Sequence, residues 1–131
     1  MSSLQIGMKG QMKARVDDAT AINFLGEGGP RVLATPALIM SLEMTARDLA
    51  KAHLESGYDT VGTHVDVKHL AATPVGMEVT YHSELLEVNG RMLRFRVEAY
   101  DEKEKVGEGF HERAIINVAK FAERVRAKSG A

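Results

Sequence analysis

Cysteine is absent from all 131 residues. That excludes disulfides, thiolate metal sites and a cysteine nucleophile, and it suits a reducing compartment such as the cytoplasm. Aromatic side chains make up only 5% of the chain, and its lysines and arginines are scattered rather than gathered into a stripe. Without a basic face interleaved with stacking rings, nucleic acid is not an expected partner. No apolar run approaches the roughly 20 residues of a membrane span, and the opening MSSLQIGMKG lacks the apolar centre of a signal peptide. The expected location is therefore cytoplasmic, with no membrane partner. The histidines show no HxH or HExxH spacing, which argues against a metal site, and neither a GxGxxG nor a P-loop is present. A GxSxG elbow is missing as well, which argues against an α/β-hydrolase. No cofactor is expected. With no repeat, low-complexity tract or linker, residues 1–131 are expected to form one domain.

What is present is the balance of a globular protein: 44% hydrophobic, 27% charged and a net charge of −1. A chain of this size buries roughly two-thirds of its unfolded surface, enough for a core without staples. Residues 2–17 alternate loosely, with Met8, Met12, Ala14 and Val16 on one side of a short strand. Residues 18–31, rich in glycine, read as a loop. From Thr35 to about His53 the apolar period is helical, with Thr35 as N-cap, Pro36 at the first helical position and Gly57 as the stop. The period then drops to 2. Residues 60–71 place Val61, Thr63, Val65, Val67 and His69 on one face. A second strand spans 77–88, the Asn89-Gly90 pair signals a two-residue hairpin, and 91–100 follows with Leu93, Phe95, Val97 and Ala99 inward. Residues 106–118 form a further strand, in which Gly107 and Gly109 mark a bulge or a close backbone approach, and 118–128 a closing helix. The expected architecture is α+β: a strand, one long helix and an antiparallel meander of at least four strands that wraps around the helix. One helix cannot cover both faces of such a sheet, so a second copy of the chain is the expected partner.

Three polar residues stand where a structural pattern expects something else. Taking about 100° per residue and Ile39 as the origin, Leu42, Ala46, Leu49 and Ala50 lie within about 80° of it, while Ser41, Thr45 and Asp48 lie opposite. Glu43 falls at about 40°, on the apolar side. It is either a general base prepared by burial or one half of an i,i+4 ion pair with Arg47. His69 shares a face with valines, so it is either a satisfied core histidine or a neutral imidazole poised to move protons. Thr35 is a helix cap, a hydroxyl at a reaction centre, or both. A hydroxyl, a carboxylate and an imidazole turned towards one interior suit acyl transfer to water.

The stretches VLATP (Val32 to Pro36), SLEM (Ser41 to Met44), VKHLAATPVG (Val67 to Gly76) and GEGFHERAII (Gly107 to Ile116) resemble hot-dog fold thioesterases of the fluoroacetyl-CoA thioesterase-like family, over roughly Val32 to Val125. The resemblance implies a curved antiparallel sheet wrapped around one long helix, assembled as a homodimer; whether dimers pair into a tetramer is left open by the sequence. It implies catalytic roles for Thr35, Glu43 and His69, a backbone group of Gly62 near the acyl carbonyl, and Arg113 lining the site. Where the fluoroacetyl-selective member carries pocket-shaping aromatics, this chain reads Gly26-Glu27-Gly28-Gly29-Pro30, with Phe24 the only aromatic nearby. The expected reaction is hydrolysis of a short or modified acyl-CoA, with Glu43 as base or nucleophile and Thr35 positioning or attacking. The alternatives are a non-catalytic acyl-CoA or small-ligand binding dimer, and an enoyl-CoA hydratase.

Overall fold

The helical period of the first half forms α1, Thr35–Lys51. Its N-cap is Ala34, in extended conformation and without a side-chain bond, so Thr35 is the first helical residue rather than the cap. The hydroxyl is thereby left free for another partner. The helix ends at Lys51, two residues earlier than expected, and Gly57 serves the turn into the next strand with φ +91°. A computed structural model describes residues 3–130 and gives the remaining elements as β1 (Lys9–Arg15), β2 (Tyr58–His69), β3 (Glu78–Asn89), β4 (Met92–Tyr100), β5 (Lys105–Asn117) and α2 (Val118–Ser129).

All five strands join one antiparallel sheet in the order β1-β3-β4-β5-β2. The expected four-strand meander is therefore only three strands long (β3-β4-β5). β2 leaves it, crosses over through residues 70–77 and pairs along the whole of β5 as an edge strand. The hairpin at Asn89-Gly90 is present but moved on by one residue. Asn89 pairs with Met92, and Gly90 takes φ +62° as the first of the two loop residues, a position where a side chain would be strained.

Helix α1 touches every strand, which is how a single helix fills the concave side of the sheet. Leu38, Leu42, Ala46 and Ala50 are sealed against Val79, Tyr81 and Leu85 of β3, Leu93, Phe95, Val97 and Ala99 of β4, and Val106 of β5. Each leucine so buried contributes about 1.5–3 kcal/mol, and the two alanines let the helix axis approach the strands. The sheet encloses a wider arc of the helix than the apolar stripe alone indicates. Thr45, placed opposite the stripe by its sequence, is 2% exposed, and its hydroxyl donates to the Ser41 carbonyl at 2.8 Å. Helix α2 starts with Asn117 accepting from the Lys120 amide at 3.0 Å and buries none of its residues.

The face of β2 departs from simple alternation. Its register with β5 shifts between Gly62 and His64, leaving Thr63 as an extra, bulged residue. Cross-strand partners then fix the faces. Thr60 and Gly62 look inward opposite Ile115 and Arg113, and Val65, Val67 and His69 look inward opposite His111, Gly109 and Gly107. The inward placement of Val61 and Thr63 expected from strict alternation is thus incorrect, while that of Val65, Val67 and His69 is right. One inserted residue reverses the parity.

Candidate active site

The expected site residues fall into two clusters, one at each end of the inward face of β2. In the first, Thr35 on the opening turn of α1 meets His69 at the end of β2, with Oγ1 and Nδ1 2.7 Å apart. Imidazole Nε2 is buried and has no hydrogen-bond partner among the described residues. Burial pushes the His69 pKa below its ordinary range, opposed in part by the Ala71 backbone, so the ring is neutral at pH 7. When Nδ1 accepts the threonine proton, oxygen Oγ1 becomes the better nucleophile.

The second cluster surrounds Glu43. Its carboxylate Oε1 lies 3.8 Å from Arg113 Nη1 and 3.8 Å from His111 Nε2, with the side chain 29% exposed. The ion pair with Arg47 that the sequence allowed does not form. Arg47 instead binds Asp59 on β2 and its neighbour Asp48, so Glu43 is directed to the sheet. Gly62 forms the floor beneath the carboxylate: a Cβ there would stand 2.6 Å from Oε1 and 3.2 Å from His111 Cε1. Arg113 is 6% exposed and held by Thr60, with Nε donating to Oγ1 at 2.7 Å and Nη2 to the backbone carbonyl at 2.9 Å.

Within one chain the clusters do not touch. Eight residues of helix set Thr35 and Glu43 about 12 Å apart along its axis, and seven residues of strand set Gly62 and His69 about 20 Å apart. Sequence reasoning missed His111 and Thr60. The signal for His111 was its place two residues before Arg113 on a strand, which puts both side chains on one face. Among the described residues no group of His, Asp and Glu could hold a metal, and no helix is long and apolar enough to cross a membrane. A groove of about 350 Å³ elsewhere, lined in part by Asp66, Lys68, Arg96 and Phe110, has its Lys105 already bridging Glu98 at 2.7 Å and Glu108 at 2.6 Å.

Burial also pushes the His111 pKa down, with Arg113 adding to the effect. Both imidazoles thus take up protons less readily in the folded chain than in the unfolded one, where histidine titrates near 6.5. As pH falls through that value the unfolded state binds more protons, so stability must fall. Asp59 and Asp101, whose carboxyls are held below the ordinary range, lose their contributions only in more acid solution. Denaturant titrations at pH 7 and pH 5 should therefore show the lower midpoint at pH 5. Equal or higher stability at pH 5 would contradict this assignment.

The chain matches the family of the fluoroacetyl-CoA-specific thioesterase over residues 16–119. It is 41% identical over 102 residues to the fluoroacetyl-CoA thioesterase of Streptantibioticus cattleyicolor, covering 78% of this chain and 73% of that one. A solved structure of the fluoroacetyl-CoA thioesterase FlK superposes with a TM-score of 0.88 at 33% identity, covering 96% of this chain and 98% of the other. A thioesterase superfamily member from Thermus thermophilus superposes with a TM-score of 0.89 at 27% identity, covering 99% and 96%. With most of its length matched by sequence and nearly all of it by structure, the chain belongs to the fluoroacetyl-CoA-specific thioesterase family and has the hot-dog fold.

Proposed function

We propose that this chain hydrolyses a short or modified acyl-CoA to the free acid and CoA, as one hot-dog domain over residues 1–131 working in a cytoplasmic homodimer. Fluoroacetyl selectivity is left out of the proposal, because Gly26 to Pro30 offers no aromatic wall and Phe24 is 75% exposed. The observation that carries the reading is the placement of both clusters on β2, an edge strand with a run of exposed residues from Gly62 to Asp66. An unpaired edge is a template for another strand. Antiparallel pairing of β2 with its own copy about a two-fold axis near Asp66, with the bulged Thr63 left out of the ladder, sets Gly62 of one chain opposite His69 of the partner subunit. Glu43, Gly62 and Arg113 of one protomer would then face Thr35 and His69 of the partner subunit, and each dimer would hold two such sites.

In that site the thioester carbonyl is polarised by backbone N–H donors near Gly62 and the helix start. Glu43 acts on the carbonyl carbon, either by deprotonating water or by attacking to form a transient anhydride. His69 of the partner subunit passes a proton to the departing thiolate, and Thr35 of the partner subunit positions the reacting oxygen or supplies it. Water adds to the acyl carbon, the C–S bond breaks, and the thiol leaves protonated.

Thiol release from a panel of acyl-CoAs varied in chain length and polarity tests the reading, with Gly62→Ala as the diagnostic variant. The added methyl meets the far end of the flexible Glu43 side chain at 2.6 Å and presses on the anchored His111 ring at 3.2 Å, so the fold should hold, with a melting temperature within about 5 °C of the parent. Displacing Glu43 should lower kcat by about 100-fold, since small misplacements at a reaction centre have effects of this size. No thiol release by the parent protein on any acyl-CoA, with ligand still bound, would replace hydrolysis with a non-catalytic binding role.

A further inference from the structure

We propose that His111 is a positioning residue that holds the Arg113 guanidinium away from Glu43, keeping the carboxylate free to react; this rests on the hydrolytic reading of the site given above. His111 is 1% exposed, and both its nitrogens are engaged. Nε2 lies 3.0 Å from Arg113 Nη1, and Nδ1 lies 2.8 Å from the His64 carbonyl. A guanidinium only donates, so Nε2 must be the acceptor. A carbonyl only accepts, so Nδ1 carries the proton. The imidazole is consequently neutral, in a single tautomer, and anchored to the backbone beside the β2 bulge.

That tether completes a three-point hold on Arg113. Thr60 takes Nε and Nη2, and His111 takes one N–H of Nη1. Nη1 itself lies 3.8 Å from Glu43 Oε1, well beyond the roughly 2.8 Å of a closed arginine–carboxylate bond. The cation thus sits beside the carboxylate without occupying its lone pairs. Separation comes from what holds the guanidinium on its far side, and His111 supplies the only such contact to Nη1 among the described hydrogen bonds. Without an acceptor at residue 111, Nη1 would close on Glu43 and tie up the base or nucleophile.

The test compares His111→Met with His111→Gln. The two side chains are similar in length and shape, and only glutamine offers a carbonyl oxygen to Nη1. Thiol release is measured for both beside Glu43→Gln, with melting temperature as the control for folding. His111→Met should lower kcat by 10- to 100-fold at nearly unchanged KM, and His111→Gln should stay within about threefold of the parent protein. In an Arg113→Met background, His111→Met should have less than a twofold further effect, because no guanidinium remains to close. If His111→Met does not fold, His111→Leu takes its place, since leucine also offers Nη1 no acceptor, and its kcat must fall likewise. Equal kcat for the methionine and glutamine variants, or an undiminished effect of His111→Met without Arg113, would overturn the tether. Full turnover by Glu43→Gln would instead overturn the hydrolytic reading on which it rests.

Discussion

Glu43→Gln is expected to lower thiol release by about 10³-fold, within the range found when an acid–base group is removed, and to leave the folded state intact. The amide keeps the shape of the side chain over Gly62 but can neither take a proton from water nor attack the thioester carbon. Its neighbours Arg113 and His111 keep their own hydrogen bonds, so little stability is at stake. His69→Ala is expected to be similarly inactive, having lost the proton carrier and the partner of Thr35. Mixing the two dead variants gives the decisive result. When Glu43 and His69 meet across a dimer interface, a mixed dimer contains one site with both residues intact and one site lacking both. Random exchange makes about half the dimers mixed, and half of their sites are whole, so activity should return to about a quarter of the parent level. Were each site built within one chain, every site in the mixture would lack one residue. No recovery after verified subunit exchange would exclude the composite site.

Gly109→Ala is expected to have the largest effect on stability. A Cβ at residue 109 would stand 2.0 Å from the Asp66 carbonyl oxygen and 2.8 Å from the Val67 Cα. Both atoms are backbone, so no side-chain rotation relieves the overlap, and β2 must move away from β5. The backbone there, at φ +159°, also favours glycine. Overpacking typically costs about 1–3 kcal/mol, and with ladder bonds lost as well the cost should reach about 3 kcal/mol or more, a fall in melting temperature of about 10 °C or more. Gly107 is a useful contrast, since its Cβ would meet side-chain atoms, the Leu38 methyls at 3.2 Å and the Ala99 Cβ at 3.6 Å. A melting temperature within about 3 °C of the parent for Gly109→Ala would show that the strands are not so close. Because β2 carries both clusters, activity should be lost with the strand.

Elements whose pattern depends on local spacing were legible from the residues alone. In β4 the alternation of Leu93, Phe95, Val97 and Ala99 matches four buried positions, because the strand lies inside the sheet and its faces see only core or the outer surface. The glycines at 107 and 109 allow either a bulge or a close backbone approach; at 109 the approach is to the backbone of β2, and at 107 it is to side chains of Leu38 and Ala99. In β2 the same method failed midway. The bulge at Thr63 depends on how two distant strands register, and it reversed the faces on one side while sparing Val65, Val67 and His69. Glu43 illustrates the same limit. Its neighbour on the helix, Arg47, was the local candidate, but Asp59 from β2 captured that arginine and left the carboxylate to Arg113 and His111.

Composition and periodicity by themselves determined the class of this protein: a cysteine-free α+β chain with one long helix, an antiparallel sheet, and a carboxylate on the apolar side of that helix. These depend on hydrophobic period and residue chemistry, which are local properties. Tertiary structure alone decided that β2 crosses to the sheet edge, that Thr35 binds His69 instead of capping its helix, and that Glu43 stands in a separate cluster under a tethered arginine. Each of those outcomes is a competition between a near partner and a distant one, settled by which contact the folded backbone brings within hydrogen-bond reach.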